Sequence, residues 1–417
     1  MIDQAYTLFS KIPLYRDPKG NYATKALWHW DLIRHFEYIS DLHLCCPVEH
    51  VSEHQADLKY VAELSDDLIY PLRVDRGWGS VFRNLIPNGV GIFRALSKTE
   101  IAHSGGAAWP FPESYYILPL RLFFKFKWII VVEAAFYRMP DHGTASFRQM
   151  LSHHLHTFLV KRCVRSADAR IFTTQRFQEM FLDAPERSLI APVVWTKEAD
   201  IRSNPDFETA KPDGNRRARL IFPSRLIRDK GVQTVLDAIE ITAQRAKDQG
   251  TEMPQIDILG SGPMTEDCQR VANAYPDEWV RFFDPIPYGD EFFAFLRGYD
   301  ALIVASLQAN GQPRILYDAM SQGLPCIASE TIATREAITD GQTGVFFQPG
   351  DAASLASCMI EFANRPDLLH EMGRNALVKA RSHTHENMHR TREHFLIETL
   401  DLSTPANQGQ TDANELS

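Results

Sequence analysis

Five short apolar runs, each closed by turn residues, restrict the second half of this chain to one kind of fold. They are RLIFPS (Arg219 to Ser224), QIDILG (Gln255 to Gly260), VRFFD (Val280 to Asp284), ALIVAS (Ala301 to Ser306) and PCIAS (Pro325 to Ser329). Segments of helical length separate them, such as Val232 to Lys247, where apolar residues return at about every third or fourth position. A strand that is apolar throughout has neither face in water, so the intervening helices must cover both sides of the sheet. The expectation is a doubly wound α/β domain with a parallel sheet, whose ligand binds at the carboxyl ends of the strands.

The first half is less regular. HLCCPV (His43 to Val48), WIIVVE (Trp128 to Glu133) and ARIFTT (Ala169 to Thr174) have strand character, and a helix is expected from Gln175. Pro185 to Asn215 is rich in Pro, Asp, Asn and Lys with weak periodicity and looks like an interdomain linker. Beyond Leu402 the chain has almost nothing to bury, so 403–417 is expected to be disordered. The 417 residues suffice for two or three domains, and no repeat is evident at solenoid periods.

A net charge of −9 argues against nucleic acid as a partner, because a phosphate backbone demands a concentrated basic surface. The six cysteines show neither CxxC spacing nor a disulfide framework, which points to a reducing cytoplasm. The N-terminus lacks a signal-peptide pattern. Tyr115 to Tyr137 is the most apolar region, but Arg121, Lys125, Lys127 and Glu133 interrupt it, which argues against a membrane-spanning helix. Its LRLFFKFKW portion reads as a buried helix end before a core strand; the mixture of aromatics and cations also suits peripheral contact with an anionic membrane face.

The chemistry-bearing residues of the second half fall where apolar runs end. Arg225 and Lys230 follow the first run; one offers a planar fork to phosphate oxygens, the other a flexible point charge. Gly231 lets the backbone approach closely, and Gly260-Ser261-Gly262-Pro263 makes a glycine turn after the second run. Past the fourth run the chain reads Asn310-Gly311-Gln312-Pro313-Arg314, with a helix expected to start near Pro313 and turn free N–H groups toward a phosphate. Asp318, a turn and a half further, can accept hydrogen bonds from ribose hydroxyls. No HExxH, EF-hand or Asp-x-Asp pattern supports a metal, and His383, His385 and His389 are expected on the surface of a terminal helix.

Arg225…Lys230-Gly231, Gly260-x-Gly262-Pro263, Asn310…Asp318 and Asp340-Gly-x-Thr-Gly344, in this order, resemble the nucleotide-sugar-binding half of group 1, family 4 retaining glycosyltransferases. The resemblance covers Arg219 to about Arg381. It implies a GT-B architecture: two Rossmann-like doubly wound α/β domains facing a cleft. Residues 1–195 would form the acceptor-side domain, joined by a C-terminal helix at about 385–402, and 196–384 the donor domain.

By the same resemblance Arg225 and Lys230 hold the donor diphosphate, and Asp318 holds the ribose. Asn310, where the family has a carboxylate, meets the transferred sugar, and the loop at Ile286 receives the nucleobase. Gly231, Gly262, Gly311, Gln312, Pro313 and Arg314 complete the donor side. On the acceptor or sugar side stand Gly20 and Asn21 in a loop, His103, and Glu133, where many relatives have a histidine. The chemistry implied is transfer of a sugar to an acceptor hydroxyl of a saccharide or lipid-linked saccharide with retention, in polysaccharide or glycoconjugate synthesis. The nucleotide-sugar is a co-substrate; neither a metal nor another cofactor is expected. The same architecture leaves open a nucleotide-sugar epimerase or hydrolase, and the amide at Asn310 leaves open a nucleotide-sugar-binding protein without transfer activity.

Overall fold

The computed structural model describes residues 1–52, 57–108, 110–133, 146–209, 216–250, 252–308 and 311–402. Asn310 and the tail 403–417 lie outside them. The chain divides into two compact units, one of Met1–Pro192 with the segment from Met388, the other Val193–Asn387. The division precedes the expected 195/196 boundary, and the chain returns to the first unit at Met388.

The first unit runs β1 (Tyr6–Phe9), β2 (Leu14–Arg16), β3 (Tyr22–Lys25), α1 (Ala26–Tyr38), β4 (Leu42–His50), β5 (Leu58–Tyr60), β6 (Ile69–Leu72), α2 (Trp78–Leu96), β7 (Ile101–Gly105), α3 (Ser114–Leu120), β8 (Lys127–Val132), α4 (Phe147–Ser166), β9 (Ala169–Phe172), α5 (Gln175–Phe181) and β10 (Ser188–Ile190). Strands β10, β9, β8, β7, β1, β4 and β6 lie side by side and parallel. The short β2, β3 and β5 extend the carboxyl end of β4, with β3 antiparallel to both neighbours. Because alternate residues of a strand face opposite sides, Leu8, Leu44 and Ile129 enter one core while Phe9, Cys45 and Ile130 enter the other.

The second unit runs α6 (Asn204–Thr209), β11 (Arg219–Pro223), α7 (Val232–Gln249), β12 (Gln255–Leu259), α8 (Thr265–Ala272), β13 (Val280–Phe283), α9 (Asp290–Leu296), β14 (Ala301–Val304), α10 (Ile315–Ser321), β15 (Cys326–Ser329), α11 (Ile332–Ala337), β16 (Gly344–Phe347), α12 (Ala352–Ala363) and α13 (Pro366–Arg381), and α14 (His385–Thr399) carries the chain back. Its six strands are all parallel in the order β13-β12-β11-β14-β15-β16. Leu220 and Phe222 pack on one side, Ile221 on the other. Helix α7 buries Val232, Val235, Leu236 and Ile239 along one stripe and ends at Gly250 in the left-handed conformation, φ 62°.

Two expectations need correction, and one gains detail. The division falls inside the linker expected at Pro185 to Asn215, which also contains β10 and α6, with Phe207 buried against the His370 ring at 4.6 Å. Both elements are too short to print a periodicity. Leu122 and Phe123 do not form a buried helix end; they are 86% and 75% exposed in the turn after α3. His385 and His389 are buried, not superficial: His385 stacks on Trp195 and His389 reaches Asp31.

Candidate active site

In an open parallel sheet the crevice forms where successive strands leave in opposite directions, so that neighbouring loops part. In the second unit this point lies between β11 and β14. The loop after β11 carries Arg225 and Lys230, and the loop after β14 leads to Gly311–Arg314. Backbone bonds tie the neighbouring loops together. Leu226 N donates to Ser261 O, Met264 N to Leu226 O, and Leu307 N to Asp229 O, each within 3.0 Å.

Two glycines make that approach possible. A Cβ on Gly231, at φ +70°, would sit 1.8 Å from Ala305 O, and one on Gly262 would sit 2.5 Å from Leu226 O. The result is a convergence of three cations. Burial depresses the Lys230 pKa, Arg225 depresses it further, Asp229 opposes, and Arg314 again lowers it. Arg225 and Arg314 are exposed and Lys230 is half-buried, and both arginines lie close enough to act on the Lys230 charge. The helix after the loop starts at Ile315, two residues later than expected, with Arg314 as its cap in helical conformation. With only seven residues in that helix, side chains carry most of the positive charge here.

Asp318 stands at the inner wall of this crevice, 7% exposed. Its Oδ1 accepts from the Thr196 hydroxyl at 2.8 Å and from the Tyr288 hydroxyl at 2.9 Å. Burial raises the carboxyl pKa to about 6, against the lowering effect of those two hydroxyls and of Arg314. Tyr288 comes from the loop after β13 that also holds the half-buried Ile286, so the loop expected to meet a nucleobase is bonded to the carboxylate expected to meet ribose. Neither Thr196 nor Tyr288 carries a local sequence signal, since both act through a partner distant in the chain. Gln312 turns its Oε1 inward to the Val193 amide at 2.8 Å, which fixes the loop rather than presenting that oxygen to solvent.

The first unit has its own crevice where β4 and β7 flank β1. A cavity of about 260 Å³ opens at the ends of β1, β7 and β8. His103 and Glu133 line it, as do Lys11, Trp28, Asp31, His35, Glu113 and Arg392, which sequence inspection did not single out. His103 Nδ1 lies 2.7 Å from the Tyr6 hydroxyl, and its pKa is depressed by burial and then by His35 and Arg392, so the ring is neutral. Gly20 and Asn21 are not among the lining residues; they form the β2–β3 turn, where Asp17 Oδ1 accepts from Asn21 N at 2.8 Å.

Asp31, His35 and His389 place ligand atoms within 4.8 Å of one another, a candidate metal set among the described residues. His389 Nε2 bonds Asp31 Oδ1 at 3.1 Å and His35 Nδ1 bonds the Asp31 backbone carbonyl at 2.8 Å, which engages one nitrogen of each ring. Burial lowers the His389 pKa to about 3, with Asp31 opposing the shift and His35 and Arg392 adding to it.

Residues 217–365 match the glycosyl transferases group 1 family. The D-rhamnosyltransferase WbpZ of Pseudomonas aeruginosa is 27% identical over 153 residues, which span 36% of this chain and 38% of WbpZ. Among solved structures, sucrose-phosphate synthase from Thermosynechococcus elongatus superposes with a TM-score of 0.67 at 15% identity, over 96% of this chain and 100% of that one. HepE of Anabaena, solved with UDP, gives 0.64 at 13% identity over 96% and 100%. The lipopolysaccharide outer core galactosyltransferase WaaB gives 0.59 at 14% identity over 94% and 99%. At these identities the structural likeness is one of fold. Residues 217–365 are a glycosyl transferases group 1 domain, in a chain with the GT-B fold of two Rossmann-like α/β units.

Proposed function

We propose that this chain moves a sugar from a nucleotide diphosphate donor to an acceptor hydroxyl with retention of configuration and without a metal. The observation that carries this reading is the convergence of Arg225, Lys230 and Arg314 at the switch point of the second sheet. As the bond between the anomeric carbon and the diphosphate oxygen breaks, negative charge builds on that oxygen, where fixed cations act without reorganising. The acceptor oxygen bonds the anomeric carbon on the same face, and its proton passes to the departing diphosphate oxygen. Asp318, held by Thr196 and Tyr288, accepts the ribose hydroxyls; Asn310 meets the transferred sugar.

HepE has been solved with UDP-glucose, so uridine donors head a thermal-shift screen that also includes GDP-, ADP- and dTDP-sugars. Arg225→Ala and Lys230→Ala should each weaken binding of the donor so found by about ten- to a hundredfold, the worth of a charge-assisted hydrogen bond. Unchanged donor affinity in both variants refutes the phosphate assignment, and loss of activity in EDTA refutes metal independence. Nucleotide release without acceptor would mark a hydrolase or epimerase. Binding without release, whatever the acceptor, would mark a binding protein.

The acceptor reading extends to a membrane. Helices α2 and α4 contain no acidic residue, although the chain carries −9 overall. Phe82, Ile86, Leu122, Phe123, Phe147 and Phe158 are each at least 59% exposed, with Arg83, Arg94, Lys125 and Arg148 exposed among them. Trp78 and His156 rings 6.0 Å apart join α2 to α4, and α3 lines an apolar groove with α2. Apolar side chains among cations, without acids, fit the surface of an anionic bilayer. In this reading the chain works at the cytoplasmic face of a membrane on a lipid-linked saccharide, in polysaccharide or glycoconjugate assembly. Flotation with phosphatidylglycerol vesicles, but not with phosphatidylcholine vesicles, is expected; equal recovery of Leu122→Glu/Phe123→Glu would overturn it.

A further inference from the structure

Arg392 is the anomaly of the first unit. Its side chain comes from α14, is 5% exposed, and borders the cavity at the ends of β1 and β7. Its Nε and Nη2 are buried without a hydrogen-bond partner among the described residues. Guanidinium N–H groups buried without an acceptor are among the least favourable arrangements a core can hold.

The carboxylates of the wall do not resolve it. Asp31 is bonded by His389 at 3.1 Å, and Glu113 is paired with Lys11 at 3.3 Å, while Lys11 also reaches Asp75 at 3.4 Å. Glu133 lies exposed at the rim. The Trp28 ring completes the wall.

We propose that this cavity recognises an acidic sugar, a hexuronate ring whose carboxylate pairs with Arg392. The volume of about 260 Å³ has room for a sugar ring. Three carboxylates in the wall oppose a dianionic phosphate but accept hydrogen bonds from sugar hydroxyls. A single planar carboxylate matches the guanidinium fork and supplies the acceptor it lacks. Trp28 offers an apolar face to the C–H side of the ring. That the sugar bound here is the acceptor rests on the glycosyltransferase reading; that the cavity binds a hexuronate does not.

The test uses the intact chain without donor. D-glucuronate is titrated by calorimetry into wild type, Arg392→Met, Arg392→Lys and Lys230→Ala, with D-glucose and glucose 6-phosphate as comparison ligands. Glucuronate should bind wild type and Lys230→Ala alike, and about tenfold or more tighter than either comparison ligand. Arg392→Met should lose this preference, and Arg392→Lys should keep only part of it. Without ligand, Arg392→Met should melt at a higher temperature than wild type, since it removes a buried charge without a partner; a structural arginine would give the reverse. Glucuronate binding no tighter than glucose, an unchanged affinity in Arg392→Met, or a lower melting temperature in that variant each overturns the proposal. Loss in Lys230→Ala instead would assign the binding to the phosphate crevice and overturn it equally. Because no donor is present, failure here is distinct from failure of the transfer reading.

Discussion

Asp318→Asn separates the structural cost of a buried carboxylate from its use. The rise in pKa from 3.8 to about 6 corresponds to about 3 kcal/mol at roughly 1.4 kcal/mol per pKa unit. Below pH 3.8 the carboxyl is protonated both folded and unfolded, and its contribution to stability is fully present. As pH rises through about 6 the folded protein must ionise a buried group, and that stability is lost. The amide keeps an oxygen for Thr196 and Tyr288 and removes the ionisation, and no hydrogen bond to Oδ2 is displaced among the described residues. Urea unfolding of both proteins at pH 4, 6 and 8 should give nearly equal stabilities at pH 4. At pH 8 the variant should be more stable by about 2–3 kcal/mol. Its donor affinity should fall, because the retained charge is the better acceptor for ribose hydroxyls. A stability difference that does not change with pH would refute the assignment of the titration to Asp318.

Three further outcomes follow from the same geometry. Gly231→Ala forces a Cβ to within 1.8 Å of Ala305 O at positive φ, so unfolding assays should show a loss of about 2–5 kcal/mol and the donor crevice should distort. Asp257 is fully buried and bonds Arg281 at 2.6 Å and the Tyr299 hydroxyl at 2.7 Å. Its replacement by Ala should cost about 2–4 kcal/mol in urea unfolding, less than a wholly buried pair because Arg281 keeps some solvent. Donor affinity measured by calorimetry should decline with rising pH as Lys230 loses its proton at a depressed pKa, and Lys230→Arg should move that decline to higher pH.

Much of the second unit was legible because its signals are local. Continuous apolar runs flanked by amphipathic helices report burial on both faces of a sheet, and all five runs are strands. Gly231 and Gly262 were readable as places of close backbone approach, since only glycine tolerates what surrounds them. The first unit was harder. Its added strands β2, β3 and β5 are three or four residues long, below the length at which a period declares itself. The strand β16, at the edge of the second sheet with its two middle residues only half-buried, is not among the five runs.

What the sequence by itself determined is the parallel α/β class of the second half and the cationic loop at the end of its first strand, both written in residue type and spacing. Only the tertiary structure decided who shares a space. It joined Asp318 to Thr196 and Tyr288, 122 and 30 positions away, and brought Arg392 to a cavity formed by strands near the other terminus. It also turned His385 and His389 from surface into core. The physical reason is that the partner of a polar group, and the water it keeps or loses, depend on distances in space that residue order does not encode.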